Sequence, residues 1–590
     1  MTRLTPYSTA EALELYLGDP LNPDNLFSFQ HCMELDEQDA YPEDICQLLY
    51  DWDLHLYYIP VAYGGKLKSF EEILAITRVI ARRDLTVAIA HGVTYLGATP
   101  VWIAGHDAQK QKIAQLILDR QKISFGLTER NHGSDILNNE TAVEAIDDGY
   151  LLSGEKWLIG NASLASALTV FTRTNPKGGP RGFSVFLVEK DKIDQKDYAN
   201  LPKIKTHGLR GANISGVKFK DSFLTPDALI SSPGSGLEII LKALQVTRTV
   251  HAGAAPSLAQ ADTALRVTLD FAFSRQIYGG TVWDIPHARQ TLTEAFVDII
   301  ICECVSLAAV RSLHVATNQM SLFSAIIKYF VPSTVEELIR RVSAVLGARY
   351  YLREEHWYGI FQKIVRDHAI ISVFDGSTAV NLHGIALQLQ QVATYHVENN
   401  ISEIPGIREK IANIFNLEEP LPEFNPNLLE MYNRGRDDIL QGIDIAEEYL
   451  EILNKKISGD EALENIIELK NILKQMIEIQ NKFLVQQDMA YMAKSSKSAE
   501  LFDLAKSYCI LHTAVACIQM WLHNRESLGE FFAKGEWLVL CLTRLLEKVQ
   551  PSLDSGPESY WENMGERLVK LYTDNKMFSI VPFELANSPK

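Results

Sequence analysis

The chain has 590 residues, of which 47% are apolar and 22% are charged, and its formal net charge is −18. This composition is typical of a folded globular protein and excludes a disordered or fibrous chain. The acidic excess argues against an extended nucleic-acid interface and against an anionic membrane surface as the main partner.

The first 120 residues or so are expected to be helical. The segment SFEEILAITRVIARRD (69–84) repeats apolar residues at helical spacing, and Ser69 with Glu72 forms a pattern typical of a helix N-terminus. From residue 122 the character changes to short β-rich runs separated by Gly, Asn, Pro and Asp clusters. These runs predict a small β-domain of barrel or sandwich type.

Helical periodicity returns near Leu237 and persists to about residue 398. The segment NLEEPLPEFNPN (416–427) has the proline-rich, acidic composition of an interdomain linker, and a further helical region follows it. The predicted division is a helical domain (1–121), a β-domain (122–230), a helical bundle (231–398), a linker (399–427) and a C-terminal helical extension (428–590).

The sequence also predicts where the protein resides. The first residues lack the apolar core of a signal peptide, and their acidic side chains argue against a transit peptide. The apolar stretch 508–522 is too short to span a bilayer and is expected to be a buried helix. Seven cysteines without a CxxC pair predict no disulfide framework and no zinc site. We therefore expect a cytoplasmic protein without a transmembrane segment or a metal.

Three segments resemble one enzyme family. FGLTERNHGSD (125–135) is similar to the LTEP.AGSD segment of acyl-CoA dehydrogenases, SRQIYGG (274–280) to their ERKTFGK-type segment, and IVRDHAIISVFDGST (364–378) to MRDAKIYQIYEGT. No Rossmann glycine motif or Walker loop competes with this resemblance. From about residue 30 to 395 the chain is identified as a member of the acyl-CoA dehydrogenase/oxidase superfamily. Its last region resembles the C-terminal extension of very-long-chain acyl-CoA dehydrogenases.

The resemblance implies a helical domain, a β-domain and a four-helix bundle that together hold FAD. It implies an enzyme that removes the α-proton of an acyl thioester with a carboxylate while the β-hydrogen leaves as hydride to flavin N5. Asp375 occupies the position of the family's catalytic glutamate, and the resemblance places Arg248 and Gly376 beside the thioester. The alternative for Arg248 is a structural pair with an acidic side chain. The alternative role for Asp375 is that of a helix cap, because Asp-Gly-Ser precedes an apolar run.

The resemblance also assigns the FAD contacts. The segments that match the family's flavin-binding positions contain Leu127, Thr128, Gly133, Ser134, Leu158, Ile159, Gly160, Arg275, Tyr278, Gly347 and Ser377. Arg275 matches an arginine that reaches the FAD of a neighbouring subunit, which implies a homodimer or a homotetramer.

Two departures from the family pattern leave alternatives open. Leu158 replaces a tryptophan that shields the flavin, with Trp157 one place earlier, and Gly160 replaces a threonine that bonds to N5. A flavin oxidase or monooxygenase, with room for oxygen at Gly160, is therefore one alternative, and a catalytically weak thioester-binding or assembly protein is another. The carrier, CoA or acyl-carrier protein, and the electron acceptor, electron-transfer flavoprotein or oxygen, stay open.

Overall fold

The computed structural model describes residues 5–399, 401–456, 460–492, 499–550 and 556–587. Its first part is helical, as the sequence predicts. Six helices form this part: α1 (Thr5–Leu17), α2 (Phe29–Glu37), α3 (Glu43–Asp51), α4 (Phe70–Arg83), α5 (Leu85–Ala104) and α6 (Asp107–Leu118). Ser69 caps α4 by accepting a hydrogen bond from the N–H of Glu72 at 3.2 Å, and Asp84 caps α5 by accepting from the N–H of Thr86 at 2.6 Å.

A folded sheet follows and encloses a small core of its own. Its strands are β1 (Ile123–Gly126), β2 (Ala142–Ile146), β3 (Gly149–Gly160), β4 (Ala167–Arg173), β5 (Phe183–Glu189), β6 (Tyr198–Leu201), β7 (Ile214–Leu224) and β8 (Leu229–Ile230). They pair in the order β6-β7-β3-β2-β4-β5-β8, with β1 parallel to β4. Alternate residues such as Leu152, Val170 and Phe219 point inward and form the core.

The next helices form the bundle and carry the loop with Asp375. They are α7 (Gly236–Thr249), α8 (Ala255–Ser274), α9 (Pro286–Val315), α10 (Met320–Leu346), α11 (Ile360–His368), α12 (Thr378–Ala386) and α13 (Leu389–Glu398). A π-helical segment (Val250–Ala254) joins α7 to α8, and a hairpin of β9 (Gln276–Ile277) and β10 (Gly280–Thr281) follows α8. Helices α7 to α10 pack against one another as the predicted four-helix bundle.

The described residues after α13 contain seven more α-helices: α14 (Ile407–Phe415), α15 (Ile443–Lys456), α16 (Asp460–Met492), α17 (Ala499–Asn524), α18 (Glu530–Lys534), α19 (Glu536–Glu547) and α20 (Glu558–Thr573). Helices α17, α19 and α20 pack against α9 of the bundle. One hydrophobic core runs from α1 through the bundle into these helices, so the predicted extension shares the core of the domains before it.

The segment that was predicted to be a linker (399–427) is partly helical and packs against the bundle. It contains α14, whose buried face includes Ile411 and Phe415. The buried side chain of Arg311 in α9 donates hydrogen bonds to the carbonyl oxygens of Ile414 at 2.7 Å and Asn416 at 2.7 Å. The proline-rich composition therefore marks a segment that is fixed to the bundle by an arginine more than a hundred residues earlier.

The last described residues are also anchored in the core. The N–H of Phe578 donates to the carboxylate of Asp262 at 3.1 Å, and its carbonyl oxygen accepts from Arg78 at 2.6 Å. Glu303 accepts from the hydroxyl of Ser579 at 2.6 Å. The C-terminal segment thus completes a network of buried charges between α4, α8 and α9.

Two of the described helices, α5 and α17, are long and apolar enough to cross a bilayer on length and composition alone. Their most apolar windows are 83% and 67% buried inside the protein, which is typical of core helices. All seven cysteines are buried free thiols. Within the described ranges, no cluster of His, Cys, Asp or Glu has the arrangement of a metal site.

Candidate active site

Asp375 lies on a tight turn between α11 and α12, in a backbone conformation that few residues other than glycine adopt. Its φ is +53°, and that of Gly376 is +96°. A left-handed conformation costs an ordinary residue about 1–2 kcal/mol, although Asp and Asn tolerate it best. Residues in this conformation are enriched at functional sites. The turn is therefore consistent with a chemical role for the Asp375 carboxylate.

Two neighbours on α7 hold this turn in place. The hydroxyl of Thr247 donates to Asp375 Oδ2 at 3.1 Å, and Arg248 Nε donates to the backbone carbonyl of Asp375. A Cβ atom at Gly376 would lie 2.5 Å from Arg248 Nη2, so this position requires glycine for space as well as for conformation. Burial lowers the pKa of Arg248, and the nearby Asp375 raises it in partial compensation.

Asp375 is not a helix cap. The N-cap of α12 is Ser377, whose Oγ accepts from the N–H of Val380 at 3.3 Å. The predicted cofactor contact Ser377 thus has a structural role, with its hydroxyl proton still able to donate to a ligand. The N–H of Asp375 donates to no acceptor within the described part of the chain, and it therefore remains available to a substrate carbonyl.

Sequence reasoning did not identify Lys328 as part of this site. Its ammonium group is buried and donates to the carbonyl oxygens of Ala252, at 2.6 Å, and of Ile371, and it lies 4.4 Å from the ring centroid of Phe374. Burial lowers the pKa of Lys328 to about 7, although Asp375 favours the charged form. Lys328 therefore links the turn that carries Asp375 to the π-helical segment. Short π-helical segments of this kind are often found at functional sites.

Ion pairs orient the helix that leads into the turn. Lys363 of α11 contacts Asp84 at 2.9 Å and also Asp367, which accepts from the N–H of Leu209 at 2.7 Å. Arg366 pairs with the buried Asp36 at 2.6 Å. These contacts tie α11 to the N-terminal helices and to the β-domain.

The segment that is predicted to bind the flavin follows β1 and forms an exposed loop, whose first residues are held by hydrogen bonds from β3. Thr128 accepts a backbone hydrogen bond from Trp157 at 2.9 Å, and the carbonyl of Leu127 accepts from Lys156 Nζ at 3.2 Å. Gly133 and Ser134 lie in the exposed part of this loop, and a Cβ at Gly133 would meet no atom within 4 Å. The backbone of the loop is thus open to the close approach of a phosphate.

A bulge changes which residues of β3 face the cofactor side. The pairing of β3 with β7 shifts register between Trp157 and Ile159, and Leu158 adopts a φ of +56°. Leu158 is 41% exposed, whereas Ile159 is buried in the core of the sheet. The side chain of Ile159 therefore packs inside the sheet, and the contact of this residue with the cofactor stays a prediction.

The indole of Trp157 is held in the flavin loop. The guanidinium of Arg130 lies 4.8 Å from the centroid of the Trp157 ring, which is a cation–π geometry. Arg130 also reaches Glu155 at 3.3 Å. The tryptophan that stands one place early in the sequence is thus packed beside the predicted flavin segment.

The space next to Gly160 is occupied by Val93 of α5. A Cβ at Gly160 would lie 2.8 Å from Val93 Cγ2, which is shorter than any normal contact. Its neighbour Gly92 lies close to His251, with a Cβ position 3.8 Å from His251 Cδ2. Helix α5 therefore joins β3 to the helix that carries Arg248, and Val93 occupies the room beside Gly160 that the oxidase or monooxygenase alternative would use.

Arg275, Tyr278 and Gly347 lie together on a separate exposed face. Phe271, one turn before Arg275, lies 5.9 Å from the guanidinium of Arg349, which follows Gly347 by two residues. Tyr278 is 93% exposed, and the side chain of Arg275 makes no hydrogen bond or ion pair with the described residues. Gly347 has a φ of +61° and nothing within 4 Å of its Cβ position. Gly347 and the unpaired Arg275 leave this face open to a ligand, and their contact with FAD stays a prediction.

Comparisons with known proteins agree with this geometry. Family models of the acyl-CoA dehydrogenase N-terminal, middle and C-terminal domains match residues 29–120, 124–222 and 234–390. A probable acyl-CoA dehydrogenase, FadE25 of Mycobacterium tuberculosis, is 23% identical over 59% of this chain and 88% of its own length.

Two solved structures share the fold. Butyryl-CoA dehydrogenase from Megasphaera elsdenii has a TM-score of 0.58 at 22% identity and covers 65% of this chain and 97% of its own. An acyl-CoA dehydrogenase from Bacillus anthracis, solved with FAD, has a TM-score of 0.65 at 15% identity and covers 97% of this chain and 94% of its own. The second likeness extends over the C-terminal helices.

The family consists of flavin oxidoreductases that act on CH–CH groups, so the predicted family, enzyme class and FAD cofactor are confirmed at this level. The chain belongs to the acyl-CoA dehydrogenase family, and it carries C-terminal helices beyond the three family domains.

Proposed function

We propose that this protein is an acyl-CoA dehydrogenase in which Asp375 removes the α-proton of the thioester. The observation that carries the proposal is the turn itself. A carboxylate on a strained backbone, fixed at its side chain by Thr247 and at its carbonyl by Arg248, has the rigidity that proton transfer requires. FAD, when bound, supplies the acceptor for the β-hydrogen at its N5 atom.

The residues around Asp375 have distinct parts in this proposal. A thioester α-proton is weakly acidic, so negative charge that develops on the carbonyl oxygen must be stabilised as the proton leaves. The N–H of Asp375 is the donor proposed for that oxygen, since nothing in the described ranges accepts from it. Thr247 orients the carboxylate, and Arg248 with Lys328 keeps the turn in place.

Anaerobic mixing with a panel of acyl-CoA thioesters tests the proposal. The wild-type flavin should bleach. Asp375→Asn should keep FAD, because Asn tolerates the same left-handed turn, but should slow bleaching by about 10²- to 10⁴-fold, the usual contribution of a general base. Thr247→Val is the matched control, and it should lose much less because the carboxylate remains. Unchanged bleaching in Asp375→Asn would disprove the role of the base.

We propose CoA as the carrier, because the matching family models and the relative FadE25 are those of acyl-CoA dehydrogenases. An electron-transfer flavoprotein is the proposed acceptor, since Val93 fills the space beside Gly160 where oxygen would react. After anaerobic reduction, slow reoxidation in air would support this choice, and rapid reoxidation with peroxide release would support an oxidase.

We further propose that Arg275 and Tyr278 reach the FAD of a second subunit, so that the active unit is at least a dimer. Their exposure on a single chain supports this assignment. A mixed dimer of Arg275→Ala and Asp375→Asn subunits provides the test. One of its two sites would combine an intact Asp375 with an intact Arg275, so about half of the wild-type activity should return. If Arg275 serves its own subunit, no mixed site is restored and activity stays absent.

A further inference from the structure

Asn381 contacts the turn that carries Asp375 from the side of α12. Its side-chain amide is buried and donates hydrogen bonds to the carbonyl oxygens of Gly376, at 2.9 Å, and of Ser377, at 2.9 Å. The backbone N–H of Asn381 also donates to the carbonyl of Ser377, at 3.0 Å. Asn381 therefore binds the backbone immediately after the residue that carries the carboxylate.

The chemistry fixes which end of this amide faces the turn. The NH₂ group is a donor and suits two carbonyl oxygens, whereas the amide oxygen would be repelled by both. The Oδ1 atom of Asn381 is then left buried without a hydrogen-bond partner among the described residues. A buried acceptor without a partner lowers the free energy of unfolding. The amide is thus unfavourable at one end, and its bonds to the turn are what it contributes.

Donors on two different helices bind the carbonyl oxygens of the turn. Arg248 of α7 donates to the carbonyl of Asp375. Asn381 of α12 donates to that of Gly376, the next residue. In a trans peptide the N–H points away from the C=O, so fixing a carbonyl also fixes the direction of the N–H that follows it. The N–H groups of Asp375, Gly376 and Ser377 donate to no acceptor in the part of the chain that the structure describes, so they stay free for a ligand.

Gly376 is the residue whose conformational freedom Asn381 limits. Its φ is +96°, and glycine reaches many backbone conformations that other residues cannot. Rotation at Gly376 would loosen the connection between Asp375 and α12. Asn381 opposes this rotation because it bonds the carbonyls on both sides of the Ser377 N–H and Cα. A misplacement of about 1 Å can slow a reaction by about 100-fold, so this restraint bears on the proton transfer itself.

We propose that Asn381 is a positioning residue for the base. It acts through the turn and not on the substrate: by fixing Gly376 it keeps the carboxylate and the N–H of Asp375 in the arrangement that α-proton removal requires. This inference rests on the proposed dehydrogenase function and deepens it by a residue that lies after the segment 364–378. The alternative is a purely structural role, in which Asn381 only stabilises the start of α12.

Anaerobic stopped-flow reduction of the FAD-loaded enzyme provides the test. The substrates are straight-chain thioesters from butyryl-CoA to palmitoyl-CoA, and the one that reduces the wild-type flavin fastest is used for the variants. Its concentration dependence gives the limiting rate of flavin reduction and the dissociation constant separately. Asn381→Leu keeps the approximate size of the side chain and removes its donors. Its limiting rate should be about 10- to 100-fold lower, with FAD retained and the dissociation constant close to that of wild type.

Two further variants distinguish positioning from stabilisation. In Asn381→Ala, α12 should persist because alanine is the best helix former, and flavin reduction should again be slow. Leu382→Ala is the matched control, since Leu382 is the next residue of α12 and is buried, but its side chain has no donor for the turn. It should lower the thermal midpoint more than Asn381→Leu does, because leucine fills its site without an unpaired acceptor, and should keep the wild-type rate per bound FAD.

The outcomes separate the inference from the proposed function. Slow reduction in both Asn381 variants, with normal reduction in Leu382→Ala, supports the positioning role. A wild-type limiting rate in Asn381→Leu overturns it, and so does an equal loss of rate in Leu382→Ala. In these two cases slow reduction in Asp375→Asn would leave the dehydrogenase function standing, whereas a flavin that no thioester reduces would refute both claims.

Discussion

The side chain of Val93 occupies the space that a side chain at position 160 would need. Exchanging the sizes of the two residues tests this. Val93 is 8% exposed, and a Cβ at Gly160 would lie 2.8 Å from Val93 Cγ2, whereas ordinary carbon contacts begin near 3.4 Å. Gly160→Thr therefore forces the two segments apart and should destabilise the protein by about 1–3 kcal/mol, the usual cost of overpacking. Val93→Gly should cost about 2–4 kcal/mol through lost burial and a glycine inside a helix.

The double variant Val93→Gly/Gly160→Thr should be more stable than the sum of the single changes predicts. Removing the valine side chain removes the overlap, so the coupling energy should be about 1–3 kcal/mol in favour of the pair. Urea unfolding of the four FAD-loaded proteins gives this energy from a double-mutant cycle, and the flavin spectrum shows whether the new hydroxyl reaches the ring. Effects that add within about 0.5 kcal/mol would show that the two residues do not compete for space.

Three further results are expected. Burial lowers the pKa of His251 to about 3, whereas an exposed histidine has a pKa of 6.5. Between these two pH values the unfolded chain binds a proton at this residue and the folded chain does not. The free energy of unfolding therefore falls as the solution is acidified through this range. In urea titrations, His251→Leu should reduce this pH slope by about 1.4 kcal/mol per unit between those values, and an unchanged slope would contradict the burial of a neutral ring. Gly376→Ala should place a methyl against Arg248 and slow flavin reduction by about 10²-fold with FAD retained; a normal rate would show that the turn tolerates movement. A chain that stops at Lys576 leaves Glu303 without the donors Ser579 and Ile580 and should lose about 3 kcal/mol or more, so a thermal midpoint equal to wild type would contradict this anchoring role.

The sequence was sufficient to predict the order of helical and β-rich parts and the turn at Asp375. Local signals carry this information: helical spacing over 69–84, β-rich runs after residue 122, and an Asp-Gly turn within a family motif. The turn around Asp375 could be placed because Asp and Gly are the residues that suit a positive φ. Its role as a cap could be weighed but not decided, since Ser377 stands two residues away and serves that purpose.

The parts that sequence reasoning missed depend on contacts between distant residues. Thr247 and Asp375 are 128 positions apart in the sequence. Lys328 contacts the segment before Asp375, at the carbonyl of Ile371, only because α10 packs beside it. The bulge at Leu158 reverses the alternation of the strand, so that the side chain of Ile159 faces the core of the sheet. The linker was predicted from prolines and acids, whereas the partner that fixes it, Arg311, is in another helix.

The central claim is that Asp375 takes a proton from the α-carbon of a thioester. An acyl-CoA whose β-carbon is replaced by oxygen keeps its α-protons but has no β-hydrogen to lose, so its α-protons report on the base alone. In D₂O, the wild-type FAD-loaded enzyme should replace these protons with deuterium, as followed by proton NMR, and Asp375→Asn should not exceed the enzyme-free blank. Exchange in Asp375→Asn at the wild-type rate would contradict the account.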